Sequence, residues 1–143
     1  MQKARVLILD GQGGGVGKSI ISSLLRLGVK AELIGAGTNA YACEGMKKAG
    51  ADISVCGDVE ILAAIKRADI ITGPIGVIIP NSLKGEISSE IASAVAASNA
   101  VKVLVPLNKC NIIVAGTCGN TLAENIEEVA KTVKERVLNM QDE

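Results

Sequence analysis

The stretch Val6-Leu7-Ile8-Leu9-Asp10-Gly11-Gln12-Gly13-Gly14-Gly15-Val16-Gly17-Lys18-Ser19 decides the fold. Four consecutive apolar residues ending in an Asp-Gly turn read as a strand buried on both faces, as in a parallel sheet. From Lys18 to Leu27 apolar residues return at helical spacing, at Ile20, Ile21, Leu24, Leu25 and Leu27, and Gly28 stands where a helix closes on glycine. Strand, glycine turn and helix in that order begin a βαβ unit.

Outward from this unit the pattern repeats. Ala31 to Ile34 reads as a second strand, Asn39 to Ala49 as a helix closed by Gly50, and Asp52 to Val55 as a short third strand. Asp58 is placed to N-cap a helix running to Arg67, and Asp69 to Thr72 is a fourth strand. Residues 73–86 mix apolar residues with Gly and Pro, which predicts a long, partly buried loop. A helix from about Ser88 to Ala97 leads into a fifth strand, Lys102 to Val105, and Ile112 to Val114 is expected as a sixth, antiparallel at the edge. Thr121 and Glu124 form a capping-box pair. Ile126, Val129, Ala130, Val133 and Val137 draw the apolar stripe of a closing helix. The expectation is one α/β domain over residues 1–143, three-layered αβα, with a doubly wound, mostly parallel sheet of five strands plus the sixth at the edge.

Composition narrows the function classes. Lys plus Arg and Asp plus Glu both number 15 in 143 residues, so no net field draws the chain to nucleic acid or an anionic membrane. There is no His, and Tyr41 is the single aromatic residue. Imidazole chemistry and base stacking on aromatic platforms are therefore ruled out. The apolar runs fall far short of the roughly 20 residues that span a bilayer. Cys43, Cys56, Cys110 and Cys118 contain no C-x-x-C pair, and the N-terminus leads directly into a strand, so a cytoplasmic location is expected. Zinc is not expected, given no His and irregular Cys spacing.

The glycine loop leaves the first strand at the carboxyl edge of the sheet, where doubly wound folds bind ligands, and the helix behind it presents unpaired amides to an anion. Three phosphate-binding templates bear on its spacing. G-x-G-x-x-G fails in every register. G-x-x-x-G-x-G succeeds with Gly11, Gly15 and Gly17 and resembles the loop of short-chain dehydrogenases, but Gly45 stands where the Lys four residues after Tyr41 would be needed for their Tyr-Lys pair. The phosphate loop of NTPases nearly succeeds with Gly17-Lys18-Ser19, but Gln12 replaces its first glycine and no second strand ends in the Asp that would hold magnesium. The alternative to all three is that the glycines only make a turn.

Around the loop, Gly35-Ala36-Gly37-Thr38-Asn39 is the stretch expected to meet an adenosine ribose. It carries neither the acid typical of NAD sites nor an Arg for a 2′-phosphate, so Gly35, Thr38 and Asn39 do not separate NAD from NADP. Gly73-Pro74-Ile75-Gly76 leaves the fourth strand at the same edge and can wall the site. Asn108-Lys109-Cys110-Asn111 follows the fifth strand and offers amide, ammonium and thiol groups. Cys110 reads as a small buried residue rather than a nucleophile, and the other cysteines as core or surface filler. Asp10 can accept bonds from the loop amides.

Together, Asp10-Gly-Gln-Gly-Gly-Gly-Val-Gly-Lys18, Gly73-Pro-Ile-Gly76, Asn81-Ser82 with Gly85-Glu86, and Pro106-Leu-Asn-Lys-Cys-Asn111 resemble the motifs of a bacterial family of unknown function grouped with the NAD(P)-binding Rossmann-like proteins. The resemblance runs from Val6 to about Val133 and implies fold and cofactor class, not a reaction. The expected function is a small nucleotide-binding protein for NAD or NADP. Its phosphates would sit on residues 11–19, with Gly73, Pro74, Ile75, Gly76 and Asn108 completing the walls. The alternatives are a non-enzymatic nucleotide sensor or regulatory subunit and an NTPase with a degenerate phosphate loop. An apolar patch at residues 73–80 suggests a homodimer.

Overall fold

In the computed structural model, which describes residues 3–108 and 111–141, the central strand is β1 (Arg5–Asp10). Its side chains alternate between faces: Val6 and Ile8 point one way, Leu7 and Leu9 the other, and all four are fully buried. Only a strand covered on both sides can be apolar at every position, so the remaining elements wrap it.

They are α1 (Gly15–Arg26), β2 (Glu32–Gly37), α2 (Ala40–Ala49), β3 (Ile53–Cys56), α3 (Asp58–Arg67), β4 (Ile70–Pro74), a 3₁₀ turn at Ile75–Ile78, α4 (Ser89–Ala97), β5 (Val101–Val105) and α5 (Leu122–Gln141). The five strands are parallel in the order β3-β2-β1-β4-β5. Ile20, Ile21 and Leu24 of α1, Met46 of α2 and Val129, Ala130 and Val133 of α5 pack on Val6 and Ile8. Ile61 and Ile65 of α3 and Ile91 and Val95 of α4 pack with Leu7 and Leu9 on the other face. Chain direction across the sheet reverses between β1 and β4, which opens a crevice at their carboxyl ends. This is the expected doubly wound α/β fold.

Local chemistry sets several boundaries. Gly28 (φ 71°) ends α1, with its amide on the Leu25 carbonyl and that of Val29 on Leu24. The side chains of Asn39 and Ser88 accept from the amides of Ala42 and Ile91 and cap α2 and α4. Thr121 and Glu124 exchange both bonds of the capping box ahead of α5.

Four expectations are corrected. Residues 112–114 form no strand: Asn111 is left-handed (φ 60°), bonded turns follow at Val114–Thr117 and Thr117–Asn120, and Ile113 is 75% exposed, so no ladder partner or apolar cover holds the segment extended. The N-cap of α3 is Gly57, and Asp58 lies in the first turn. β2 runs on through Gly35 to Gly37, because these small residues make room for α2. A Cβ on Gly35 would lie 2.8 Å from Met46 Cβ, and one on Gly37 2.7 Å from Cys43 Sγ. β4 likewise includes Gly73 and Pro74, and a Cβ on Gly73 would sit 2.1 Å from the Leu9 carbonyl oxygen, so only glycine lets these central strands pair there.

Among the described residues no helix is long and apolar enough to cross a membrane. Thr72 on β4 is fully buried, and its hydroxyl has no hydrogen-bond partner among the described residues. Replacing it with the near-isosteric Val removes the cost of an unsatisfied buried group. Thr72→Val is expected to raise Tm by roughly 3–5 °C, about 1 kcal/mol. A fall in Tm on thermal melting would contradict this.

Candidate functional site

The turn from β1 to α1 is built around Asp10. Its buried carboxylate accepts from the Gly11 amide at 2.8 Å through Oδ1 and from the Gly17 amide at 2.7 Å through Oδ2. The Gly14 amide bonds back to Gly11 at 2.8 Å, and Gly14, at φ 70°, is the N-cap. With the Gly17 amide held by Asp10 and that of Lys18 on the Gly14 carbonyl, the amides of Gly15 and Val16 have no acceptor among the described residues. They stand at the positive end of α1.

The five glycines of the loop divide into two kinds. Gly14 needs its left-handed backbone. A Cβ on Gly11 would come within 2.6 Å of Thr38 Oγ1, and one on Gly17 within 2.8 Å of Met46 Sδ. Gly13 and Gly15 are different: neither has positive φ, and a Cβ on either would meet nothing within 4 Å. The folded chain gives no reason for glycine at these two exposed positions.

A strap, residues 79–87, crosses the loop. Ser82 is buried and its hydroxyl donates to the Gly76 carbonyl, while Asn81 and Ile87 pair through a 2.7 Å backbone bond. Asn81, Leu83, Lys84 and Gly85 are all left-handed, and this curl carries Leu83 and Glu86 onto Gly11. Glu86 Oε1 accepts from the Gln12 amide at 2.9 Å, from Asn39 Nδ2 at 2.9 Å and from the Thr38 hydroxyl. These donors, the Thr38 hydroxyl foremost, hold the Glu86 carboxyl below its usual 4.5 against the opposing effect of burial. Asn39 also donates to the Gln12 carbonyl at 2.9 Å, so β2's end, the glycine loop and the strap meet at this carboxylate.

On the other side of Gln12, at the ends of β4 and β5, lies a cavity of about 230 Å³ lined by Gln12, Pro74, Ile75, Gly76, Ile79, Leu83, Lys84 and Leu107. Its walls are apolar except at Gln12 and Lys84.

The site residues expected from sequence fall into distinct places. Asp10 to Gly17, Thr38 and Asn39 are brought together, and Pro74, Ile75 and Gly76 join Gln12 at the cavity. Gly35 lies inside β2 beneath Met46, away from the carboxyl edge, because it is spent on helix packing. Gly73 is buried against β1. Lys18 does not reach toward the loop: its stem runs beside Gly45, and its ammonium stands 5.8 Å over the Tyr41 ring, both on α2, a cation–π contact. Ser19 is exposed on α1, and Asn108 is exposed after β5. Lys109 and Cys110 lie outside the described residues. Cys43 is buried, and burial together with the neighbouring Cys56 pushes its thiol up to about 12, so it is core filler as expected. Cys56 and Cys118 are exposed. The run 73–80 folds inward over α4 and the cavity, which removes the exposed patch behind the dimer expectation. Glu86 is the site residue that sequence reasoning missed, although Gly85-Glu86 stood among the quoted motifs.

Residues 5–138 match the domain of unknown function DUF3842. The chain belongs to that family. Among curated proteins none matches it. Its fold is similar to that of several solved structures, at low identity. AibC aligns at a TM-score of 0.52 with 16% identity, over 95% of this chain and 43% of that one. Prephenate dehydrogenase from A. aeolicus, in complex with hydroxyphenyl propionate and NAD+, aligns at 0.47 with 20% identity over 91% and 39%. An imine reductase variant from Myxococcus stipitatus, in complex with NAD+, aligns at 0.42 with 23% identity over 75% and 32%. The DUF3842 chain thus spans less than half of each of these proteins, and its likeness to AibC is one of fold alone.

Two measurements test this geometry. Gly15→Ala should leave stability unchanged or raise it by up to about 1 kcal/mol, whereas Gly17→Ala should cost about 1–3 kcal/mol by overpacking against Met46 and Asp10. Denaturant titration of both variants separates them. Because the Glu86 carboxyl is lowered in the folded state, its contribution is full above its unfolded value and is lost as pH falls through the folded one. The Tm gap between wild type and Glu86→Gln should therefore be constant near neutral pH and shrink below about pH 4.5.

Proposed function

We propose that this DUF3842 protein binds a nucleotide of the NAD(P) type, with its phosphates against residues 13–16. The observation that carries the reading is the pair Gly13 and Gly15, glycines that neither φ nor packing requires, each with open space where a Cβ would stand. A pyrophosphate approaching the free Gly15 and Val16 amides needs that space, and the end of the α1 dipole favours its charge. The site lies at the β1–β4 switch point, where doubly wound folds take their ligands.

The cavity beyond Gln12 is smaller than the roughly 300 Å³ at which whole-ligand pockets begin, so it suits one end group of a dinucleotide, the remainder lying along the loop. An NTPase reading is not supported, since Lys18 is engaged over Tyr41. The sensor reading is favoured by the cavity lining, in which Lys84 is the one ionisable group.

Melting curves with NAD, NADP, ATP, GTP and S-adenosylmethionine test the proposal. A ligand at one hundred times its dissociation constant adds about 2.7 kcal/mol, so NAD or NADP should raise Tm by several degrees. Gly15→Val should fold as well as wild type and lose that response. A Tm unmoved by all five compounds, or a Gly15→Val protein that still responds, would overturn the reading.

A further inference from the structure

We infer that Glu86 is the carboxylate that receives the ribose diol of the bound nucleotide, and that it selects an unphosphorylated 2′-hydroxyl over a 2′-phosphate. This rests on the nucleotide reading above. In doubly wound folds an acid at the end of the second strand accepts from the adenosine ribose, while an Arg nearby admits a 2′-phosphate. Here Gly37-Thr38-Asn39 ends and follows β2 with neither.

The structure supplies the missing carboxylate from the strap, dozens of residues further on. Glu86 Oε1 is fixed by the Thr38 hydroxyl, by Asn39 Nδ2 and by the Gln12 amide, so the group stands one residue past β2 and beside Gly11, the first glycine of the loop. Three donors on one oxygen orient the carboxylate. Oε2 takes no donor among the described residues and can accept from a hydroxyl. An ionised carboxylate offers acceptors only, which suits the two O–H donors of a vicinal diol and repels a second anion.

Among the described residues, Lys84 is the cation whose field reaches the Glu86 carboxylate. It makes no ion pair with Glu86 and lines the cavity beyond Gln12, while Lys18 stands over Tyr41. The charge strengthens the three bonds that hold the strap. It acts as well on whatever approaches Oε2 from outside.

Isothermal titration calorimetry of the full chain with NAD, NADP, ADP and 2′-deoxy-ADP tests the assignment. Wild type should bind NAD at least about tenfold more tightly than NADP, and ADP about tenfold more tightly than 2′-deoxy-ADP. Glu86→Gln should collapse both ratios to within about threefold, mainly by weakening NAD and ADP. Thr38→Val, which removes one donor but keeps the charge, should shift both ratios the same way by a smaller factor, and it decides the matter if Glu86→Gln unfolds. Equal wild-type affinity for NAD and NADP, or ratios unmoved by substitution, overturns the inference and leaves nucleotide binding standing. Tighter binding of all four ligands by Glu86→Gln also overturns it, since the carboxylate would then be occupying the ligand's place. Wild-type protein that binds none of the four removes the nucleotide reading and this inference with it.

Discussion

The Asp10 carboxylate is the contact on which the site depends. It sits at the end of the central strand, almost fully buried, and bonds the amides at both ends of the glycine turn. Taking a charge out of water is costly, and two amide donors together with the positive end of α1 offset that cost. Once Asp10 holds Gly11 and Gly17, the intervening residues have one way to go, outward around Gly14, and the Gly15 and Val16 amides face the open edge. Asp10 also dictates Gly17, because a Cβ there would crowd its own side chain at 3.1 Å.

Around this clasp the sheet order does the rest. β1 lies between β2 and β4, so both halves of the doubly wound sheet end at the same loop. The Thr38 side and the Gly76 side are thereby brought to opposite flanks of Gln12. Gly73 lets β4 come within contact of the Leu9 carbonyl, and the cavity begins at the next residue, Pro74.

Much of this was legible in the residues because it is governed by short-range chemistry. The apolar run of β1, the Gly28 ending of α1, the Thr121–Glu124 box and the stripe of α5 are each patterns written in neighbouring residues, whatever they later pack against. Glycine density misled where tertiary packing decides: Gly35 and Gly37 look like loop but serve as gaps for Met46 and Cys43 inside a paired strand. The apolar triplet 112–114 has strand propensity but no neighbour to pair with. Lys18 was drawn toward phosphate by motif resemblance, whereas an exposed aromatic ring one helix away claimed it. Glu86 left no periodic or capping signal, since all its partners lie more than 40 residues earlier, and the curl that aims it uses Leu83 and Lys84 in a conformation that sequence patterns assign to glycine or asparagine.

The strap also bears on the timing of assembly. Its bond to Gln12 spans 74 residues and needs β4 docked beside β1. Contacts of such separation form late, because the chain loses closure entropy before they reward it. Leu83 and Lys84 add about 1–2 kcal/mol of left-handed backbone strain each, held by a small set of anchors around Ser82 and Ile87. A local opening of this segment would break the bonds of Glu86 to Gln12, Thr38 and Asn39 and uncover the glycine loop, with the ladder of the five-stranded sheet still paired.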